Sequence, residues 1–415
     1  MNRRIAFYTL GCKVNQYETA KLAERFAELG FSVVPETERA DVYVINSCTV
    51  TGIADRKSRN FARRAKKLNH GAVVAMIGCY AETSADELAH MPEIDVLLGS
   101  AGKDGLPALI CERLGDSEEN QETDGSVSVS YNGADTAAEG RTRSYLKIED
   151  GCDRHCAYCV IPAARGPVRS RAYAAIMAEA AELIRRGCQE IILTGINAAL
   201  YGDGGYDLIA LTKEIANLPG EFRIRLSSLE PTVVNAGYAR RLIGIDKLCP
   251  HLHLSLQSGS DDVLAAMGRR YSIEDYRKII AVLRERDPLF GVTTDIIVGF
   301  PGETEADFER SVDAVRRIGF AHVHVFRYSK RPGTRAADMP GQIPEQVKKE
   351  RSDRLMAAAA EAAREYREKC RGATRRALVL AAAKNGALRA VTDNGIEVEI
   401  PGGGSLINTM VDITL

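Results

Sequence analysis

Three short apolar runs rich in β-branched residues, IAFYTLG (5–11), DVYVINS (41–47) and VVAMIG (73–78), punctuate the first 115 residues, and the stretches between them carry helical periodicity. Strands that are continuously apolar are those covered on both faces, so this alternation predicts a doubly wound parallel sheet flanked by helices. Each run leads into a cysteine: Cys12, Cys48 and Cys79 follow one another at about one βα unit, roughly 30 residues or more. Strands of an open parallel sheet end on one edge, where such folds bind ligands, so three thiols distant in sequence should converge there. The plain alternative is that each is a small buried hydrophobe, the common fate of free cysteine.

From residue 144 the alternation resumes. YLKIED, EIILTGIN, RIRLSSLEP, HLHLSLQSGS, TTDIIVGFPGE and HVHVFRYSKRPGT are six strand-like runs, with helical stretches such as 172–186, 273–286 and 304–317 between them. Repeated βα units of this length predict a partial (βα)6 barrel, open along one side because a closed barrel has eight strands. Polar residues stand where the strands would end: Asn197, Ser228 and Glu230, Ser255 and Gln257, Glu303, and Tyr328. The C-terminal ends of the strands are the catalytic face of such barrels. An Ala/Glu/Arg-rich stretch, 345–370, reads as a long trailing helix. After it ALVLAAA, ALRAVT and GIEVEI, separated by Asn-Gly turns at Asn385 and Asn394, predict a small β-barrel or meander. The expected organisation of this α/β chain is therefore an α/β domain (1–115), a Gly/Ser/Thr-rich linker (116–143), a partial barrel with trailing helix (144–370) and a short β-rich domain (371–415).

Composition changes this picture chiefly through cysteine. The start of the chain lacks a signal peptide's apolar core, and no apolar stretch approaches the roughly 18 residues of a membrane span, so a cytoplasmic protein with no membrane association is expected. Cytosol keeps thiols reduced, and ten cysteines there point to metal or catalysis before disulfides. The loop GCDRHCAYC (151–159) holds Cys152, Cys156 and Cys159, an odd number of thiols within eight residues. A structural zinc site closes with four ligands, and only His155 lies inside the loop as a further candidate. Three thiolates on a four-cornered [4Fe–4S] cube would leave one iron open for substrate or cofactor. Cys111, Cys188, Cys249 and Cys370 show no such register and are assigned to packing. The net charge of −1 neither demands nor forbids a polyanionic partner.

The motifs GCKVNQYET, INSCTVT, GCYAE, GCDRHCAYCVIPAARGPVRSR, LTGIN, RLSSLEP, HLHLSLQSGSDDVLAAMGRRY, DIIVGFPGETEADF and YSKRPGTRAADM together resemble the methylthiotransferases of the radical S-adenosylmethionine (SAM) superfamily, and specifically the MtaB type, over residues 5–356. The resemblance implies conversion of N6-threonylcarbamoyladenosine at position 37 of tRNA to its 2-methylthio form, with two [4Fe–4S] clusters and two SAM. Cys152, Cys156 and Cys159 would hold the catalytic cluster, whose open iron binds SAM for reductive cleavage to a 5′-deoxyadenosyl radical. Cys12, Cys48 and Cys79 would hold an auxiliary cluster that carries the sulfur. Tyr158, Asn197, Glu230, Gln257, Gly299 and Glu303 would contact SAM. An electron donor such as flavodoxin or ferredoxin is implied, and the sulfur donor is not named by the sequence.

A tRNA substrate calls for phosphate contacts, and basic patches supply most of that affinity. Residues 55–70 carry Arg56, Lys57, Arg59, Arg63, Arg64, Lys66 and Lys67, with Phe61, Ala62, Ala65 and Leu68 left to pack; a solvated helix face is the alternative. Arg169, Arg171, Arg375 and Arg376 are further candidates for RNA contact. The target base lies in an anticodon stem-loop, where unpaired bases can be read without opening a duplex. Two departures stand out: Arg327 occupies a place where relatives usually have proline, so it too is a candidate RNA contact, and 371–415 resembles a shortened TRAM domain. Rival readings are a methylthiotransferase acting on isopentenyladenosine in tRNA or on a ribosomal protein, disfavoured by GCKVN, and a non-catalytic iron–sulfur or zinc protein.

Overall fold

The structure is a computed structural model that describes residues 3–115, 142–383 and 385–415. Nearly all of the expected 116–143 linker lies outside the described residues. Two compact units result. The first comprises the described part of 1–140 with 151–153 and 160–167, and the second comprises the remainder.

In the first unit β1 (Arg4–Thr9), β2 (Ser32–Val34), β3 (Val42–Ser47), β4 (Val73–Gly78) and β5 (Val96–Leu98) form one parallel sheet in the order β2-β1-β3-β4-β5. Successive side chains point to opposite faces, which divides each apolar run between two cores. Ile5, Phe7, Val42, Val44, Ala75 and Ile77 pack with Leu22 and Phe26 of α1 (Lys13–Glu28), whereas Tyr43, Ile45, Val74 and Met76 pack with Phe61, Ala62 and Ala65 of α2 (Gly52–Leu68). The expected double winding is what continuous apolar strands require.

The second unit contains six parallel strands: β6 (Arg143–Lys147), β7 (Glu190–Thr194), β8 (Arg223–Leu226), β9 (His251–Leu254), β10 (Gly291–Val298) and β11 (His322–Arg327). They neighbour one another in chain order, with an Ile224–Leu248 bridge and a short Ser228–Leu229 segment carrying the sheet from β8 to β9. β6 and β11 are each paired on one side, so among the described residues the barrel does not close. Helices α3 (Tyr173–Arg185), α4 (Ile273–Arg286) and α5 (Glu305–Ile318) sit where periodicity predicts them. The last two begin with capping boxes, Ser272 with Asp275 and Thr304 with Asp307, which satisfy the first free backbone N–H groups of each helix.

The trailing helix α6 spans Glu345–Cys370, and Leu355, Ala358, Ala359 and Ala362 join the barrel core. β12 (Thr374–Ala382), β13 (Leu388–Thr392), β14 (Glu397–Ile400) and β15 (Met410–Thr414) then form an antiparallel sheet in the order β14-β13-β12-β15. This sheet is fastened at the N-terminal ends of the barrel strands. Glu190, fully buried, accepts from Arg143, Arg223 and Arg225. Arg223 and Arg225 also donate to the carbonyls of Arg376, Val391 and Thr392. No helix among the described residues is long and apolar enough to cross a membrane.

Candidate active site

Three strands of the first unit deliver the first set of thiols. Cys12 caps the start of α1 after β1, Cys48 follows β3 directly, and Cys79 opens the short helix Cys79–Thr83 after β4. Because these strands are neighbours, with Asn46 level with Thr9 and Ile77, their ends lie side by side. Gly11 has a φ of +98°, and a Cβ there would fall 2.9 Å from Cys48 Sγ, so only glycine lets the first loop approach the second thiol. Asn15 ties the loops together by donating to the carbonyls of Leu10 (2.7 Å) and Ser47 (3.0 Å). Ser47 donates to Ile77 O at 2.6 Å and accepts from Tyr80 N, which fixes the start of the Cys79 helix.

Arg165 lies in the same unit with its side chain fully buried. Its Nε donates to Cys79 Sγ at 3.2 Å, Nη1 to Glu18 Oε1 at 3.1 Å, and Nη2 to Asn15 Oδ1. Lys103 adds a second cation against Glu18. Burial pushes the Cys48 thiol up to about 12, with the neighbouring Cys79 and Cys12 thiols adding to the shift, whereas Cys12 itself is exposed. Three crowded thiols with one guanidinium beside them suit a metal or cluster that would hold them as thiolates. The donor set therefore fits a [4Fe–4S] cluster with one iron left without a cysteine ligand.

Cys152, Cys156 and Cys159 lie in one loop after the short strand Glu149–Asp150. Gly151 has a φ of +83°, and Cys152 N donates to Gly166 O, which returns the chain on itself. Ala157 N bonds Met267 O, and Ala336 N bonds Ala157 O, so the middle of the loop is held between two segments of the barrel mouth. His155 has a φ of +47° and is exposed. The half-buried Tyr158 ring accepts Arg269 Nη2 on its hydroxyl at 2.7 Å, and desolvation of the hydroxyl pushes its pKa well above the ordinary phenol value.

Of the SAM candidates, Asn197 and Glu230 meet directly: Asn197 Nδ2 donates to Glu230 Oε2 at 2.8 Å. Glu230 also pairs with Arg154 (2.9 Å) and Arg269 (3.2 Å), so it links the cysteine loop to the strand ends. Gln257 is buried with a φ of +69°, and its backbone bonds Asp295 O and Ile297 N. The carboxylate of Glu303 is held by Gly299 N (2.6 Å) and Arg351 Nη1 (2.7 Å), and burial raises its pKa. Glu303 thus shapes the Gly299–Glu303 turn from beneath. Gly299 has a φ of +74° with Lys348 packed where a Cβ would stand.

The RNA candidates differ in setting. Arg63, Arg64 and Lys67 are exposed on α2, whereas Lys66 spends its ammonium on Asp95 (2.6 Å) and Ala72 O. Arg169 is exposed, Arg171 donates to Lys147 O and pairs with Glu179, and Arg327 is exposed at the end of β11. Arg375 pairs with Asp287 and Arg376 with Glu221. Cys188, Cys249 and Cys370 are buried in cores, and Cys111 is partly buried. Arg165, Asn15, Glu18, Arg154 and Arg269 are the residues that spacing alone did not single out.

Comparison with known proteins agrees with this layout. Residues 146–315 match the model of the radical SAM superfamily, and residues 4–99 match that of the uncharacterized protein family UPF0004. Threonylcarbamoyladenosine tRNA methylthiotransferase MtaB of Thermotoga maritima is 41% identical over 91% of this chain and 86% of its own. The proteins of the same name from Aquifex aeolicus, 37% identical over 98% and 100%, and Bacillus subtilis, 40% identical over 87% and 81%, are similar too. Among solved structures, the radical SAM methyltransferase TsrM of Kitasatospora setae, with cobalamin and a [4Fe–4S] cluster bound, shares the fold with a TM-score of 0.57 at 14% identity over 81% of this chain and 77% of that one.

Proposed function

The chain belongs to the MtaB family of threonylcarbamoyladenosine tRNA methylthiotransferases, and on that premise we propose that it is a radical SAM enzyme adding a methylthio group to C2 of N6-threonylcarbamoyladenosine beside the tRNA anticodon. The observation that carries the reading is the 41% identity sustained over 91% of the chain, together with the two family matches, 4–99 and 146–315, that contain the two sets of three cysteines.

SAM and a [4Fe–4S] cluster come with the superfamily. We assign that cluster to Cys152, Cys156 and Cys159, and a second to Cys12, Cys48 and Cys79. Such clusters, when bound, supply an electron for SAM cleavage and an iron to which sulfur is attached, chemistry that side chains do not perform. The chain's own residues do the positioning. Asn197 and Glu230, fixed to each other and to Arg154 and Arg269, offer polar groups at the strand ends to a bound SAM. The Gly299 turn is fixed by the Glu303 carboxylate on its backbone N–H and by Lys348 packed against it, which sets the shape of this strand end. Arg165 offsets thiolate charge at the second set. Arg63, Arg64, Lys67, Arg169 and Arg327 are exposed cations that could meet phosphates, Arg63 lying also 3.8 Å from Glu93. A low-potential electron donor such as flavodoxin or ferredoxin completes the reaction.

The test is an anaerobic assay of the reconstituted protein with SAM, a reductant and tRNA carrying either threonylcarbamoyladenosine or isopentenyladenosine, read by nucleoside mass spectrometry. The methylthio product should form on the first substrate alone. Product on the second alone would replace this substrate assignment.

A further inference from the structure

Four of the chain's seven histidines stand in two short repeats, HLHL (251–254) and HVHV (322–325). β9 and β11, which carry them, flank β10 in the parallel sheet. The alternation of side chains sends Leu252, Leu254, Val292, Thr294 and Ile296 into the helix-covered core. The other face receives His253, Thr293, Asp295, His322 and His324, with Asp295 level with His324 and His253 level with Thr293. Imidazole is a poor choice for the wall of a barrel unless it has something to bind, and here three possible ligands converge. One nitrogen or oxygen from each of His253, Asp295 and His324 lies within 4.8 Å of the other two.

We infer that His253, Asp295 and His324 form a binding site for a first-row divalent transition metal, separate from both sets of cysteines. His253 Nε2 and Asp295 Oδ2 are 3.1 Å apart. Metal bonds of about 2.0–2.2 Å put neighbouring ligand atoms roughly 3–3.5 Å from each other, so this pair is already at ligand spacing. The other ring nitrogen, Nδ1, is 2.9 Å from Thr293 Oγ1, the kind of outer contact that fixes the tautomer of a ligating histidine. Ser255 Oγ lies 3.4 Å from Asp295 Oδ2 and steadies the carboxylate. His324, on the adjacent strand and exposed, closes the third position by a side-chain rotation.

Two imidazoles and one carboxylate choose the cation. Mg²⁺ and Ca²⁺ take oxygen ligands, whereas Zn²⁺ and Fe²⁺ accept this set and retain open positions for an oxygen ligand. His253 precedes Gln257 by four residues, at most about 13 Å along an extended strand, so the site lies deeper on the sheet than the strand-end residues. It contains no cysteine and is not filled by cluster assembly.

The test uses the full chain with its clusters reconstituted, incubated with ZnCl2, desalted and analysed for elements. Wild type should retain about one Zn²⁺ per chain beyond the cluster iron, and His324→Ala and Asp295→Asn should retain none with cluster absorbance unchanged. His324 is exposed, so that variant keeps the core intact, and a thermal melt checks it. X-ray absorption at the zinc edge should show nitrogen and oxygen neighbours only. A high-spin ferrous Mössbauer component lost in the same variants would make iron the occupant. Zinc-free and ferrous-free wild type, zinc retained by both variants, or sulfur in the zinc shell would overturn the inference and leave His253 and Asp295 as a simple hydrogen-bonded pair.

Discussion

The guanidinium of Arg165 donates through Nε to Cys79 Sγ at 3.2 Å while its other nitrogens hold Glu18 and Asn15. A positive charge beside the thiolates favours the more negative, reduced state of anything they hold. At roughly 5 Å and an effective dielectric constant near 20 the interaction is worth about 3 kcal/mol, or on the order of 100 mV for one electron. Arg165→Gln should therefore shift the midpoint potential of the cluster proposed on Cys12, Cys48 and Cys79 to more negative values, read by EPR-monitored titration. An unchanged potential in a folded variant would leave Arg165 a purely structural anchor.

Iron analysis tests the proposal of two clusters. The reconstituted protein should carry about eight irons, and Cys152, Cys156 and Cys159 replaced together by alanine should reduce that to about four and abolish SAM cleavage. Zinc in place of iron in both sets would contradict the enzyme reading.

The buried Glu190 balances three arginines, so neutralising it strands their charges. Glu190→Gln should cost on the order of 3–5 kcal/mol in the second unit, because removing one partner of a buried pair leaves the others uncompensated. The expected signs are a lower melting temperature and faster proteolysis near Thr374, with the iron proposed on Cys12, Cys48 and Cys79 retained.

Glu149 gives a pH signature. It is fully buried, one oxygen accepts Asn197 N, and Oε1 has no hydrogen-bond partner among the described residues. Burial raises its pKa from 4.5 to about 7. The folded protein thus binds this proton more tightly than the unfolded chain; the stability it gives is full below about pH 4.5 and is lost as pH rises through about 7, up to roughly 3 kcal/mol. Glu149→Gln should melt above wild type, with a gap that widens from pH 6 to pH 8. A gap that narrows would show the carboxylate ionised and stabilised.

Much of this was legible in the sequence because apolar runs and caps act locally. The six barrel strands, the three helices at 173–185, 273–286 and 305–318, and the trailing helix at 345–370 follow from periodicity, Ser272 and Thr304. The convergence of Cys12, Cys48 and Cys79 followed from topology, since adjacent parallel strands must end together. Arg165 was not legible: it stands among other arginines in AARGPVRSR, and its partners lie 86 to 150 residues away. Lys66 read as one more cation of a basic helix, yet Asp95, 29 residues on, takes its charge. Glu303 read as a ligand contact at a strand end, and only the fold shows Arg351 and Gly299 holding its carboxylate. HLHL and HVHV placed histidines on one face of each strand, but which strand lies between them is a tertiary fact.

The most direct test of the account is mass spectrometry of nucleosides from bulk tRNA of a strain lacking this protein and of the same strain with it restored. The 2-methylthio form of threonylcarbamoyladenosine should vanish on deletion and return with wild type but not with the Cys12, Cys48, Cys79 alanine variant, while 2-methylthio isopentenyladenosine stays constant. Loss of the isopentenyl form alone on deletion, or full restoration by that variant, would contradict it.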